Sequence, residues 1–207
     1  IMILLYVILA TSWNILGGYT GQTSLGHAAF FGLGSLATRL LWVKGVHIIP
    51  SILVGSLLAV AFALLIGAPA FRLKGVYFAI GTLALAEILN VTVGNLFPEI
   101  ASLPIKQLVG YQLLPRYYAL LGLAVLIIGG SYLIVNSKIG LGMMAVREEE
   151  DAAESLGVSA LKHKLIALGV SAFFTGLAGG AFAFYHVGYY YQYPFSPSWS
   201  LDMLTMV

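Results

Sequence analysis

The amino-acid sequence predicts an all-α membrane protein, a polytopic bundle of transmembrane helices with one short amphipathic helix on the cytoplasmic side. Three observations point there. Of 207 residues, 60% are hydrophobic and only 9% charged, whereas a soluble domain carries about 25% charged residues. Apolar runs recur that match the roughly 20 helical residues needed to cross a bilayer core of about 30 Å. Short polar or basic turns separate those runs. The chain is too apolar for disorder, and without cysteine it has no disulfide framework or thiolate metal site. A net charge of +2 from scattered basic residues offers no nucleic-acid surface.

The runs follow in order. Residues 1–18 are apolar from the first position, and the chain stops inside another apolar run, LDMLTMV. The expectation is therefore a single transmembrane domain, 1–207, truncated at both ends, with the span count a lower bound. A polar, Gly-rich stretch, GYTGQTSLGH (18–27), precedes a run over 28–43 that carries Arg39 near its end. Residues 46–69 form a span closed by Ala68-Pro69. The basic turn FRLKG (71–75) leads to a span over 76–97 containing Glu87. Residues 98–116, with three prolines, read as a loop, and 117–135 as a further span. The charged segment 136–164 precedes the last complete span, 165–187, and the tyrosine-rich 188–199 reads as an interfacial belt and loop. The reading gives five complete helices and parts of others.

Orientation follows from Lys and Arg in short loops. Arg72, Lys74, Lys138, Arg147, Lys162 and Lys164 fall on one side, against Arg39, Lys44, Lys106 and Arg116 on the other. The side with six is placed in the cytoplasm.

Segment 143–164, MMAVREEEDAAESLGVSALKHK, concentrates acidic residues. Glu148, Glu149, Glu150 and Asp151 suit the first turn of a helix through its dipole, although no Ser, Thr, Asp or Asn stands where its N-cap falls. Ala152, Ala153 and Leu156 form a small apolar face, and Gly157 suits a left-handed C-terminal cap. Such a helix is too short to be stable alone. It is either a solvated connection or a docking surface for a soluble partner, and the small residues favour docking.

Asp151-Ala152-Ala153, three residues, then Gly157 resembles the EAA-loop signature of ABC importer permeases, with Asp in place of Glu. The Ile-x-Leu-Pro ending is absent, and Ala167, Gly169 and Val170 stand in its place. Three blocks, GYTGQTSLGHAAFFGLG (18–34), GAPAFRLKGVYFAIGTLALAEI (67–88) and AVREEEDAAESLGVSALKHKLIALGVSAFFTGLAGGAFAFY (145–185), are similar to the branched-chain amino acid permeases of the LivM type, in the expected order. The resemblance implies a multi-pass permease subunit of the plasma (inner) membrane, belonging to an ABC importer of branched-chain or other hydrophobic amino acids. Urea or short amides are the alternative substrates. It further implies that 143–164 is a cytoplasmic coupling loop. The partners implied are two ATP-binding subunits, a second homologous permease and an external binding protein, periplasmic or lipoprotein. The chain itself binds no cofactor, and ATP-Mg belongs to the partner subunit. No GxxxxGK[ST] motif and no Gly-Lys dipeptide occur, so hydrolysis must come from elsewhere. The chain is not expected to be an enzyme.

Thr20, Gln22, Thr23, Ser24 and His27 are candidates for the substrate path. Non-helical backbone at membrane depth is tolerated where it is buried in protein or lines a cavity, and broken helices present free N–H and C=O groups to substrates in transporters. A plain cytoplasmic loop fits the span count equally well, and both readings stay open. Glu87 is the remaining candidate. An intramembrane carboxylate costs about 2.5–3.5 kcal/mol on insertion scales, which predicts that it faces the bundle interior with Asn90 one turn on. It could meet a substrate ammonium, relay a proton, or only bond a neighbouring helix; a stand-alone secondary transporter or channel using Glu87 is the rival reading. Ser171, Thr175 and Gly179, with Ala172, Gly176 and Gly180 beside them, form small-residue ridges for close helix packing. His27, His47, His163 and His186 are too dispersed for a metal site.

Overall fold

A computed structural model describes residues 1–73, 75–103 and 111–207. Lys74 and Lys106, both used in the charge count, lie outside the described residues. The helices described are α1 (Met2–Thr20), α2 (His27–Val43), α3 (Ile48–Ala70), α4 (Val76–Leu96), α5 (Leu113–Val135), α6 (Lys138–Glu148), α7 (Glu150–Ser155), α8 (Ala160–Tyr185) and α9 (Ser198–Thr205). Five of them, α1, α3, α4, α5 and α8, are long and apolar enough to cross a membrane. The fold class is the expected all-α polytopic bundle.

The membership of the five differs from the sequence reading. α1 has 19 residues and counts among the five. α2 has only 17 residues, about 26 Å at 1.5 Å per residue, and it begins inside the bundle.

α8 is the central helix, with α1, α2 and α3 packed around it. Sequence dictates how closely they approach. A Cβ on Gly55 would lie 2.7 Å from the Gly34 carbonyl oxygen, and one on Gly176 would lie 2.7 Å from the Ser56 Cα. Gly34 and Gly179 likewise face the backbones of Gly176 and Phe31. The ridges of α8 are thus the contact surface of the three helices α2, α3 and α8, the geometry that small residues permit. α4 and α5 lie outside this core. α4 turns Phe78, Thr82, Ala86 and Val93 inward, and α5 turns Leu120, Ala124, Ile127 and Ser131.

Three segments are placed differently from the sequence expectation. α8 starts at Ala160, so Lys162, His163 and Lys164 stand in its first two turns, where the buried Lys164 reaches Glu150. α5 starts at Leu113, which puts Arg116 in a helix instead of a loop. The tyrosine-rich segment 188–199 is only partly at the surface, with Tyr190 and Tyr193 exposed. Tyr189, Pro194, Phe195 and Trp199 are buried. The chain first pairs along 100–103, through Ala101 N–H to the Tyr189 carbonyl and Leu103 N–H to that of Val187. It then folds back into the bundle, where the Phe195 ring sits against Gly32, at a position that no side chain could share. The Phe195 ring goes inward because Gly32 leaves room for it.

The bundle has two chemically distinct ends. Thr20, the 136–160 segment and the C-terminus of α3 meet at an acidic end; His186, Tyr189, Arg39 and the N-terminus of α5 meet at an aromatic end.

Candidate functional site

α1 ends at the acidic end. Gly21, with φ of +68°, reverses the chain, and its N–H bonds the Leu16 carbonyl as a left-handed cap. Residues 22–26 then run back into the bundle without regular secondary structure. The indole Nε1 of Trp13 donates to the Ser24 carbonyl (2.8 Å), Gly26 N–H to Ser24 Oγ, and Leu25 N–H to Thr82 Oγ1 of α4 (3.1 Å). His27, wholly buried, opens α2 at the depth of mid-α1 and mid-α8. The Ser171 hydroxyl donates to the Ser12 carbonyl (2.6 Å), so it accepts from His27 Nε2–H at 2.7 Å. Ala28 N–H, one of the free donors of the new helix, is taken by Ser200 Oγ at 2.8 Å.

The break has two parts. Its turn lies at the acidic end, and its second half is non-helical backbone satisfied inside the bundle. Thr20 is buried, its hydroxyl bonding the Leu16 carbonyl. Gln22 is half-buried and Thr23 exposed. Ser24 and His27 come together with Ser12, Trp13, Thr82, Ser171 and Ser200, none of which was singled out for this role. Ser171 stood out only as a packing residue, and the others carry no local signal.

Glu87 is not with them. The side of α4 formed by Phe78, Thr82, Ala86 and Val93 docks onto the bundle, which turns Glu87 to the opposite, exposed face. The expectation of an interior-facing carboxylate is corrected, although Asn90 does bond it, Nδ2 to Oε2 at 3.1 Å.

At the acidic end, α6 and α7 are separated at Glu149, whose backbone is extended (φ −156°, ψ 111°). Ala153 packs inward on Val146, Val158 and Ala160. The single apolar face expected for Ala152, Ala153 and Leu156 is split: Ala153 holds the helix to its own chain, while Ala152 faces out and Leu156 is 86% exposed. Gly157, φ +85°, closes α7, as its sequence position predicts. Glu148, Glu149, Asp151 and Gly157 are exposed with Leu156. Two contacts tie this loop to the bundle. Arg147 Nη1 donates to the Gly18 carbonyl at 2.9 Å, beside the turn that starts the break. Lys164, 5% exposed, pairs with Glu150 at 2.6 Å.

The aromatic end holds two arginines that the sequence reading had counted as loop charges. Arg39 is wholly buried, donates to the His186 carbonyl, and lies 4.8 Å from the Tyr189 ring centroid. Burial keeps His186 below the ordinary imidazole range and pushes the Tyr189 phenol up, so both groups are neutral around Arg39.

The whole chain, residues 1–207, matches the family model described as branched-chain amino acid transport system / permease component. It belongs to that family, and it is a multi-pass integral membrane protein of the plasma membrane. The permease protein LivM of the high-affinity branched-chain amino acid transport system from Escherichia coli (strain K12) is 29% identical over 213 residues, covering 87% of this chain and 50% of that protein. The protein of the same name from Salmonella typhimurium (strain LT2) is 29% identical over 215 residues, covering 88% and 51%. The chain thus spans about half the length of these curated relatives. No solved structure matches it.

Proposed function

We propose that this chain forms membrane-spanning structure of an ABC importer permease for branched-chain, hydrophobic amino acids, with its acidic end in the cytoplasm. The permease family and the two LivM relatives support the substrate class. The observation that carries the coupling role is the loop at the acidic end. α7 presents Glu149, Asp151, Ala152, Leu156 and Gly157 outward, on a base fixed by Ala153. An exposed leucine next to a glycine-capped short helix is a surface for a soluble partner, here an ATP-binding subunit.

In this reading a second permease, two ATP-binding subunits and an external binding protein complete the transporter. ATP-driven closure of the ATPase pair pushes α7. Arg147 and Lys164 carry that displacement to the 18–27 break and to α8, which are also joined to each other through His27 and Ser171. Movement at the break rearranges Ser24, His27 and the N–H groups at the start of α2, where a carboxylate is favoured. Thr20, Gln22 and Thr23 line the cytoplasmic approach. Glu87, on the outer face of α4, meets the path only where another subunit covers that face.

The test is a cross-link from Leu156→Cys, in a chain without native cysteine, to a cysteine-substituted ATPase in the reconstituted importer. A cross-link whose yield changes with ATP, together with loss of amino-acid uptake in Leu156→Asp at normal assembly, is the expected result. No cross-link and normal uptake in Leu156→Asp would overturn the coupling role.

A further inference from the structure

The aromatic end carries a charge arrangement that the import cycle described above does not use. Arg39 and Arg116 are 0% and 4% exposed. The first lies 5.6 Å from the Trp42 ring centroid; the Trp42 and Phe184 ring centroids are 5.6 Å apart with the rings tilted by 58°; and Arg116 lies 4.8 Å from Phe184 and 3.6 Å from Tyr111. A cation, two rings and a second cation thus form one continuous column. Neither guanidinium has an ion pair among the described residues, and Arg39 Nε and Nη1 and Arg116 Nη1 are buried without a hydrogen-bond partner there.

That arrangement calls for an anion. Withdrawing a guanidinium from water costs several kcal/mol, repaid only by good pairing, and a ring face returns about 0.5–2 kcal/mol. One of the chain's eight carboxylates, Glu99, lies at this end near Tyr191, but it forms no ion pair with either arginine among the described residues, and the other seven are elsewhere. Glu148, Glu149, Glu150, Asp151 and Glu154 are at the acidic end, while Glu87 and Asp202 face Asn90 and Tyr6. Beside Arg116 lies a cavity of about 400 Å³, open outward and lined among others by Trp42, His47, Gln112, Pro115 and Phe184. Arg116 is its cationic donor, His47 and Gln112 add polar groups, and Trp42, Val46, Ile48, Pro115 and Phe184 make the rest of the lining apolar.

We propose that this cavity binds the carboxylate of a small amphiphilic acid with a branched apolar tail. Arg116 meets the carboxylate, and Trp42 and Phe184 meet the tail. Arg39 lies behind the rings and adds positive potential without touching the ligand. The planar guanidinium presents paired N–H donors that fit two carboxylate oxygens. With the importer reading, on which the identity of the acid rests, the ligand is the amino acid itself, held at the external mouth before it enters the bundle.

The experiment uses the full-length protein in its assembled transporter, without binding protein, in zwitterionic nanodiscs and labelled with 5-fluorotryptophan. The Trp42 resonance, assigned with Trp42→Phe, is followed on titration with isovalerate, leucine, isovaleramide and leucinamide. The expected result is a saturable shift with the two carboxylates and none with the two amides. Arg116→Gln weakens it by about tenfold or more, the effect of losing a charged hydrogen bond. If that variant does not assemble, Arg116→Lys keeps the charge but loses the fork, and is expected to weaken binding several-fold. An equal response to the amides, an unchanged titration in the Arg116 variants, no shift with any carboxylate, or a shift only on adding anionic phospholipid overturns the site. Leucine uptake by the complete importer is measured separately. Isovalerate binding without uptake fails the import reading alone, and uptake without binding fails the site alone.

Discussion

α8 and α4 have nearly the same mean hydropathy, yet the apolar window of α8 is 72% buried within the chain and that of α4 only 22%. The difference comes from side-chain size. α8 carries Ala172, Gly176, Gly179 and Gly180 on the surface that meets α2 and α3, and backbones approach because nothing stands between them. α4 offers Phe78 and Val93 to the bundle and leaves Tyr77, Ile80, Ile88 and Val91 outside. In a membrane, lipid is as apolar as leucine, so apolarity alone buries nothing, and packing has to come from shape. α8 is finished by its own chain, whereas the outer face of α4 is available to another subunit or to lipid.

The sharpest way to break this comparison is Gly179→Val. A side chain there meets the Phe31 carbonyl and the Ser35 amide, backbone atoms that cannot rotate away. Overpacking of a core typically costs about 1–3 kcal/mol, and here two helices must separate, so the expected cost lies at or above that upper end. Thermal unfolding of the solubilised protein reads it. A variant that melts with the parent would mean that the α2–α8 contact is not the core of the fold.

Next in size is Ser171→Ala. It removes the hydroxyl that accepts from His27 and donates to the Ser12 carbonyl, leaving buried polar groups unpaired at about 1–3 kcal/mol. The same melting measurement serves, and a ring-nitrogen NMR signal of His27 that stays unchanged would show that the break is held by other groups.

These two sites also show what could be seen in advance. The spans were legible because apolar length is a one-dimensional property. The ridge of α8 was legible because its spacing is local to one helix. The cap at Gly157 was legible because glycine marks left-handed backbone. The inward course of 21–26 was not, since its partners Trp13, Thr82, Ser171 and Ser200 come from four other elements. Glu87 was misplaced because burial cost says only that a charge avoids lipid; it does not say whether the same chain or a neighbour shields it. Arg39 and Arg116 were counted as loop charges because the rings that cover them, Tyr189 and Phe184, are remote in sequence.

A smaller effect separates α5 from α8. A Cβ on Gly122 of α5 meets nothing within 4 Å, so Gly122→Ala is expected to stabilise the isolated chain by up to about 1 kcal/mol through helix propensity. The readout is again the melting midpoint, in the chain alone and in the assembled transporter. A gain in the first and a loss in the second would place a partner helix against this face.

Glu87→Gln closes the series, with the smallest expected change in stability. The carboxylate is exposed and bonds only Asn90 within the described residues, so neutralising it should move the stability of the isolated chain by no more than about 0.5 kcal/mol. Uptake by the complete importer is where the substitution should register. If a second permease covers the outer face of α4, the carboxylate becomes enclosed without having been stabilised by its own chain. A group in that position can answer an ammonium or a proton when one passes. Reduced uptake at unchanged assembly and melting is the expected pattern. Uptake equal to the parent would place this face against lipid, with Asn90 holding a carboxylate that plays no part in transport. A large fall in stability of the isolated chain would contradict the exposed position itself, and with it the contrast between α4 and α8.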